Sequence, residues 1–213
     1  MLGIFTTNYL SIYATEFQIR QFLNELEKTK LMGKLTLILG GARSGKSTYA
    51  EQIAAERGGD SVLYVATAQA FDDEMAAKIA KHRADRPAAW PTLETPQGAG
   101  AAVLAHDWTG AVILLDCLTV LTSNVLIQFE DPFDAAVASA ITAEVDTLLK
   151  CVEQLDAEIL IVSNEVGLGL VPPTKLGRAY RDLLGRANQR LAAAADEVIL
   201  MVAGIPMQVK GQN

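Results

Sequence analysis

The sequence predicts an α/β fold of the P-loop type: a mainly parallel sheet flanked by helices on both faces, preceded by an extra N-terminal helical segment. Three observations predict it. Short apolar runs recur along the chain, separated by segments of helical composition. These runs are continuous rather than alternating, as strands are when both faces of a sheet are covered. And the first run ends in a glycine-rich turn that opens a helix, the place where a parallel sheet holds phosphate.

The elements follow in order. Leu35–Leu39 is the first strand and ends in Gly40-Gly41. Lys46–Arg57 reads as a helix with Tyr49, Ala50, Ile53 and Ala54 on one face. Val62–Ala66 is the second strand. Asp72–Ala84 reads as a helix whose first turn carries Asp72, Asp73 and Glu74, where carboxylates complement the helix dipole. Trp90–Glu94 is a short extended piece near Pro91 and Pro96. Ala111–Leu115 is a buried strand, Asp134–Leu155 a long helical stretch and Ile159–Ser163 another strand. Lys175–Ala195 is a long helix, Val198–Val202 the last central strand, and Met207–Lys210 a terminal edge strand after Pro206.

Residues 1–33 read differently and are expected to be an extension, helical or flexible, ahead of one domain spanning 34–213. Met1–Ile4 is apolar but lacks a basic start, and Thr6, Thr7 and Asn8 interrupt it, which speaks against a secretory signal. Thr15 and Gln18 have capping-box spacing, and Ile19, Phe22, Leu23 and Leu26 form one helical stripe. The stripe suits a docking helix for a partner or subunit. It equally suits a helix packed on the domain, or a translation start placed upstream of Met32.

Composition excludes several classes. The chain has 213 residues and a net charge of −7. That balance argues against nonspecific nucleic-acid binding, which needs a basic stripe. It leaves room for a nucleotide site, because backbone dipoles and a few cations hold phosphate on an acidic protein. Cys117 and Cys151 form neither a CxxC pair nor a zinc pattern, so no structural metal or disulfide is expected, in keeping with a reducing cytoplasm. No apolar run approaches the ~20 residues that span a bilayer.

The strongest motif is Gly40-Gly41-Ala42-Arg43-Ser44-Gly45-Lys46-Ser47, which fits the phosphate-binding pattern G-x-x-x-x-G-K-[ST]. Its glycines let backbone N–H groups point into an anion hole. Lys46 offers a point charge to the outer phosphates, and the Ser47 hydroxyl a ligand to Mg²⁺. Asp116 ends an apolar strand, where a carboxylate can meet the same magnesium, directly or through water. The Asn-Lys-x-Asp pattern of many GTPases is absent, so a small-molecule kinase fits better than a signalling GTPase. In Lys81-His82-Arg83-Ala84-Asp85-Arg86-Pro87, the arginines suit phosphate oxygens and His82 suits attack on phosphorus. From spacing alone, a surface histidine in a charged helix end fits as well. His106, beside Asp107 and Trp108, reads as a surface or structural residue.

Several blocks in order resemble one family. They are Gly40–Ser47, Val62–Thr67, Asp72–Ile79, His82 with Arg86, Pro87 and Trp90, Asn164–Pro172 and Gly185–Val198. The resemblance is to the bifunctional adenosylcobinamide kinase / adenosylcobinamide-phosphate guanylyltransferases of cobalamin biosynthesis, and it covers about Met32 to Lys210. It implies two reactions. The hydroxyl of the aminopropanol arm of adenosylcobinamide takes the γ-phosphoryl of a nucleoside triphosphate. The resulting phosphate then takes GMP from GTP through a GMP-histidine, giving adenosylcobinamide-GDP. ATP and GTP are the implied co-substrates, Mg²⁺ the cofactor, His82 the nucleophile and Lys46 its catalytic companion. Nucleotide contacts are implied along Gly40–Ser47, at Tyr64, Val65 and Ala66, at Arg83, Ala84, Asp85 and Arg86, and at Glu94 and Asp116. The resemblance also implies a homo-oligomer, a trimer in this family; cytoplasmic location, no nucleic-acid partner and no membrane span are the expectations from composition above.

Other residues stay open at this stage. Asn164 and Glu165 suit orientation of water, magnesium or the corrinoid arm, or simply a turn. Gly167, Gly169, Pro172 and Pro173 suggest a shaped loop. Arg178, Arg181 and Arg186 suit phosphates or a solvated face paired with Asp182. A P-loop kinase for another small alcohol, and a nucleotide-gated binding protein, remain alternatives.

Overall fold

Covering a sheet on both faces buries the middle of its central strands, and that requirement organises this chain. A computed structural model describes residues 33–70, 80, 83, 84 and 86–211. Its elements are β1 (Lys34–Gly40), α1 (Lys46–Gly58), β2 (Val62–Ala66), β3 (Thr92–Glu94), α2 (Ala99–Ala105), β4 (Val112–Asp116), α3 (Leu118–Leu126), α4 (Ala135–Gln154), β5 (Glu158–Val162), α5 (Lys175–Ala194), β6 (Glu197–Val202) and β7 (Ile205–Lys210). The strands form one sheet in the order β3-β2-β4-β5-β1-β6-β7. All neighbours run parallel except β7, which returns antiparallel along β6.

The period of two along each strand divides the core. Leu35 and Leu37 of β1 and Ile113 and Leu115 of β4 join the side chains of α2, α3, α4 and α5. Ile38 of β1 and Val112 and Leu114 of β4 join Ala50, Ile53 and Ala54 of α1, with Trp90. All seven strand residues are at most 2% exposed. Each such burial contributes about 1.5–3 kcal/mol, so the continuous apolar runs are the energetic signature of two covered faces.

Most elements lie within a residue or two of the sequence expectation; two helices do not. α2 is seven residues of A-G-A-A-V-L-A, too short for a periodic stripe. It packs so closely on α4 that a Cβ on Gly100 would lie 2.5 Å from the Thr147 carbonyl carbon. In α3 nearly every residue is buried, so no polar face marks it as a helix. Of the Trp90–Glu94 piece only Thr92–Glu94 is strand, while Trp90 is buried and its Nε1 donates to Gly59 O at 2.9 Å. Pro206 lies inside β7, tolerated because β7 is an edge strand. The helix expected over Asp72–Ala84 lies outside the described residues except Ala80, Arg83 and Ala84, which are helical. The expectations for residues 1–32 lie outside them too.

The parallel strands place the ends of β1, β2, β3, β4 and β5 on one edge. Backbone hydrogen bonds carry the sheet past those ends: Ser163 N to Ile38 O (2.9 Å), Glu165 N to Gly40 O (3.0 Å), Thr67 N to Asp116 O (3.1 Å) and Thr95 N to Ala66 O (2.9 Å). At the opposite edge Arg57, at the end of α1, pairs with Glu158 of β5 and with Glu197 of β6.

The two glycine environments predict opposite signs. Gly100→Ala should destabilise by about 1–3 kcal/mol, because backbone of α4 must move. Gly185→Ala, in mid-α5 with nothing within 4 Å of the added Cβ, should stabilise by about 0.5–1 kcal/mol. Urea denaturation of the two variants against the parent chain measures both.

Candidate active site at the carboxyl edge of the sheet

The loop between β1 and α1 is shaped by positions only glycine fills. Gly40 has φ 156°, and a Cβ there would lie 2.6 Å from Met201 O and from Ser44 Oγ. Gly45 caps α1 in the left-handed region at φ 92°. The turn at Gly204 supports the loop from β6–β7 by donating its N–H to Ser44 O at 3.0 Å. The result aims the first N–H groups of α1 at one small volume, an anion site built from backbone. Ser44 Oγ is buried there with no hydrogen-bond partner among the described residues, a polar atom that an anion in the loop can satisfy.

Lys46 leads α1 and is 8% exposed. Its Nζ donates to Gly41 O at 2.7 Å, folding back over the cradle it would share with a phosphate. Burial lowers its pKa from the usual lysine value, while Cys117 and Asp116 act in the opposite direction. Phosphate oxygens would raise it again, so the cradle is electrostatically tuned to an anion.

Asp116 ends β4, and β5 lies between it and the cradle strand β1. Tyr64, on the neighbouring β2 and 2% exposed, donates its hydroxyl to Asp116 Oδ2 at 2.8 Å. Burial and the Asp116 carboxylate push the Tyr64 phenol well above its usual pKa, so it stays a donor. The Arg86 guanidinium stacks over the Tyr64 ring, 3.4 Å from its centroid, a cation–π contact. Arg86 Nε also lies 4.0 Å from Glu51 Oε1 on α1. Arg86 thus faces inward, anchoring the end of the segment that carries His82, rather than standing out toward solvent.

Thr67 buttresses this end from the side: its Oγ1 donates to Cys117 O (2.8 Å) and accepts from Cys117 N (2.9 Å). Asn124 Nδ2 in α3 bonds Thr67 O and Pro96 O. The sequence reading passed over both; their signals were a threonine directly after an apolar strand and an asparagine inside an apolar helix.

The remaining sequence candidates fall as follows. The loop residues Gly40–Ser47 and Asp116 share one sheet edge with β5 between their strands, and the Asp116 charge acts on Lys46. Val65 is fully buried on the α2–α5 side, so its side chain turns away from the edge. Ala66 sits at the strand end. Glu94 ends β3 and lies 3.5 Å from Arg83, both largely exposed. That pair stands four strand spacings from the cradle, roughly 19 Å at ~4.8 Å per strand, so the candidate site is a strip and not a single pocket. Ala84 is exposed; His82 and Asp85 lie outside the described residues. Asn164 is held through its backbone, its N–H bonding Thr119 Oγ1 (2.8 Å) and its carbonyl Asn188 Nδ2 (3.0 Å). The Glu165 carboxylate accepts from Gly167 N. Arg178 donates to Pro172 O and Pro173 O, and Arg181 lies 3.9 Å from Asp182.

Among the described residues no three His, Cys, Asp or Glu side chains gather around a common point. A cation here would rest on Ser47 and Asp116 oxygens, completed by phosphate and water. That donor set, hard and oxygen-only, fits magnesium. No helix of the described residues is long and apolar enough to cross a membrane.

Known proteins share this pattern. The family described as Cobinamide kinase / cobinamide phosphate guanyltransferase matches residues 36–209. The Bifunctional adenosylcobalamin biosynthesis protein CobU of Escherichia coli strain K12 is 44% identical over 184 residues, covering 83% of this chain and 99% of that protein. Its counterpart CobP of Pseudomonas aeruginosa is 46% identical over 176 residues, covering 83% and 97%. CobU of Salmonella typhimurium is 43% identical over 182 residues, covering 83% and 99%.

Burial, reinforced by Asp116, pushes the Cys117 thiol up to about 11. Alkylation of Cys117 in the native protein should therefore keep climbing about tenfold per pH unit to pH ~10. In the urea-unfolded chain it should level off above about pH 9. Peptide mass spectrometry after timed iodoacetamide exposure reads the two profiles.

Proposed function

The chain belongs to the cobinamide kinase / cobinamide phosphate guanyltransferase family of transferases, and from that membership we propose that it performs both reactions on the one sheet edge. In the first, the hydroxyl oxygen of the aminopropanol arm of adenosylcobinamide attacks the γ-phosphorus of ATP or GTP. The bond to the nucleoside diphosphate breaks as the new one forms, and the hydroxyl proton is released. Lys46 and the loop N–H groups offset charge on the transferring phosphoryl. Magnesium bound by Ser47 and Asp116 would supply further charge neutralisation at the phosphates.

In the second reaction a ring nitrogen of His82 attacks the α-phosphorus of GTP. Pyrophosphate leaves, the imidazole gives up its proton, and GMP remains as a phosphoramidate. The phosphate of adenosylcobinamide phosphate then attacks that phosphorus and the P–N bond breaks. This yields adenosylcobinamide-GDP and restores His82. Arg83, Ala84, Asp85, Arg86, Glu94 and the strand end at Tyr64, Val65 and Ala66 form the nucleotide strip beside the cradle, Val65 through its backbone.

The observation that carries this reading is the chain of contacts Arg86–Tyr64–Asp116. It links Arg86, four residues from His82, to the same carboxylate whose charge acts on Lys46. We assign the chemistry to one domain, residues 34–213, which Gly33 joins through its N–H on Val152 O at 2.9 Å. A cytoplasmic homo-oligomer, trimeric by resemblance, completes the reading. Its support is the row Ile205, Met207 and Val209 on β7, 65%, 52% and 64% exposed, which gives a second copy an apolar strand to cover.

Incubation with GTP and Mg²⁺, without corrinoid, should add one GMP to the intact mass, acid-labile and mapped to the peptide containing His82. His82→Ala should lose that adduct and guanylyl transfer while retaining phosphoryl transfer. A folded, GTP-binding protein without the adduct would instead be a kinase only, of this or another small alcohol. Tyr64→Phe keeps the ring under Arg86 but removes the hydrogen bond to Asp116. It should lower kcat for phosphoryl transfer about tenfold and leave the GMP adduct intact, by rapid-quench assay of both steps.

A further inference from the structure

The reactions above leave one feature of the edge unused. β5 lies between β4 and β1, so the segment leaving it, residues 163–174, emerges between Asp116 and the phosphate cradle. Its root is fixed. Asn164 is bonded to Thr119 and Asn188, and Glu165 N donates to Gly40 O of the cradle at 3.0 Å. Its far end is fixed as well. Thr174 caps α5 by accepting from Gly177 N, and Arg178 Nη1 holds the carbonyls of Pro172 and Pro173 at 3.1 and 2.8 Å. Between those anchors stand Leu168, Leu170 and Val171, 86%, 96% and 64% exposed. A Cβ on Gly169 would meet nothing within 4 Å, so the tip is open. Large apolar side chains displayed this fully, on a segment tied down at both ends, mark a binding surface.

We propose that Leu168, Leu170 and Val171 form the surface on which the macrocycle of the corrinoid acceptor rests. The assignment depends on the reading that the acceptor is a corrinoid, and it adds where that acceptor lies. The cradle is lined by backbone N–H groups and Lys46 and is shaped for phosphate. A broad macrocycle with apolar faces and an amide-bearing rim does not enter it. Only the arm that bears the reacting hydroxyl reaches in, so the ring lies on the adjoining surface within that arm's length. Of the segments leaving the strand ends on the Asp116 side of the cradle, the one after β5 alone displays large apolar side chains among the described residues. The residues after β2 are Thr67, Ala68, Gln69 and Ala70, and those after β3 are Thr95, Pro96 and Gln97. Beyond β4 the chain enters α3 at once, with Leu118 and Leu121 turned into the core. Val202 and Ile205 flank the cradle too, but on the far side of β1, away from Asp116. The ring therefore approaches from the α5 side, opposite α1, while the nucleotide runs along the strip toward Glu94.

The test is the double variant Leu168→Ser/Leu170→Ser in the full chain. Both side chains are solvent-facing, so folding should persist, checked by thermal unfolding against the parent. Equilibrium dialysis with cobinamide, which absorbs in the visible, should show a loss of affinity of roughly tenfold or more. The KM for cobinamide should rise in step. Affinity for GTP and the rate of GMP adduct formation, which involve neither leucine, should stay within about twofold. Leu170→Met, which keeps an apolar side chain, should restore most of the corrinoid affinity when combined with native Leu168. Unchanged cobinamide affinity in the double variant overturns the assignment. So does a change in sedimentation with cobinamide affinity intact, which would give the surface to a second copy of the chain. If the parent forms no GMP adduct but the double variant still loses cobinamide, the guanylyl-transfer reading falls and the surface stands. If the adduct forms and cobinamide binding is untouched, the surface falls alone.

Discussion

Burial of the sheet on both faces is the constraint from which the rest of this protein follows. With α1 on one side and four helices on the other, a side chain in the middle of β1, β4 or β5 has no route to solvent. A polar or charged group there would have to be paired at the cost of its hydration. Chemistry is therefore displaced to the strand ends, and parallel pairing places the ends of six strands on one edge. Lys46, Asp116, Glu94 and the segment after Ser163 share one edge because the core leaves them nowhere else to be.

The same constraint sets the electrostatics. Lys46 and Asp116 lie where the sheet gives way to loop, half inside the low-dielectric core. There their charges act on one another more strongly than they would in water. Tyr64 is the clearest case. It is a core residue in packing, joined with Val62 and Leu114 on the α1 side, yet its hydroxyl reaches the edge and holds Asp116. Its ring in turn supports a guanidinium that in water would be fully hydrated. A negative protein thus sets Lys46, Arg86 and Arg83 along one edge, each beside a carboxylate: Asp116, Glu51 and Glu94.

The strands were legible in the sequence for the reason that they are stable. Two covered faces make each an unbroken apolar run, and β2 begins and ends where its run does. The cradle was legible because its glycines have no substitutes at φ 156° and 92°. The helices of low periodicity were not: α2 is short and carries Gly100 for contact with α4, and α3 is buried nearly all round. Nor were the contacts that organise the site. Tyr64 and Asp116 are 52 residues apart, and their meeting depends on β2 lying beside β4. The spacing of Arg178 and Arg181 suits phosphate as readily as loop carbonyls, and only the fold distinguishes these, giving Arg178 to Pro172 and Pro173. Asn188, inside a polar-looking helix, is buried and ties α5 to Ser163 and Asn164.

Strand order also bears on how one edge serves two transfers. Were β4 paired directly with β1, Asp116 would sit against the cradle and a single compact pocket would follow. Inserting β5 opens the edge by one strand spacing, about 4.8 Å, and gives that opening its own loop. The cradle then lies at one end of the strip and the Arg83–Glu94 pair at the other, with Asp116 between them. A nucleotide lying along such a strip can present different phosphates to different partners according to which end holds it. In the arrangement we propose, the acceptor approaches across the strip rather than along it, over the loop that β5 supplies. On that proposal, two reactions on one acceptor call for a change in how the nucleotide lies along the strip, and not for a second acceptor site. Arg86 is where the fold joins that segment to the sheet, through Tyr64, to the carboxylate at the middle of the strip.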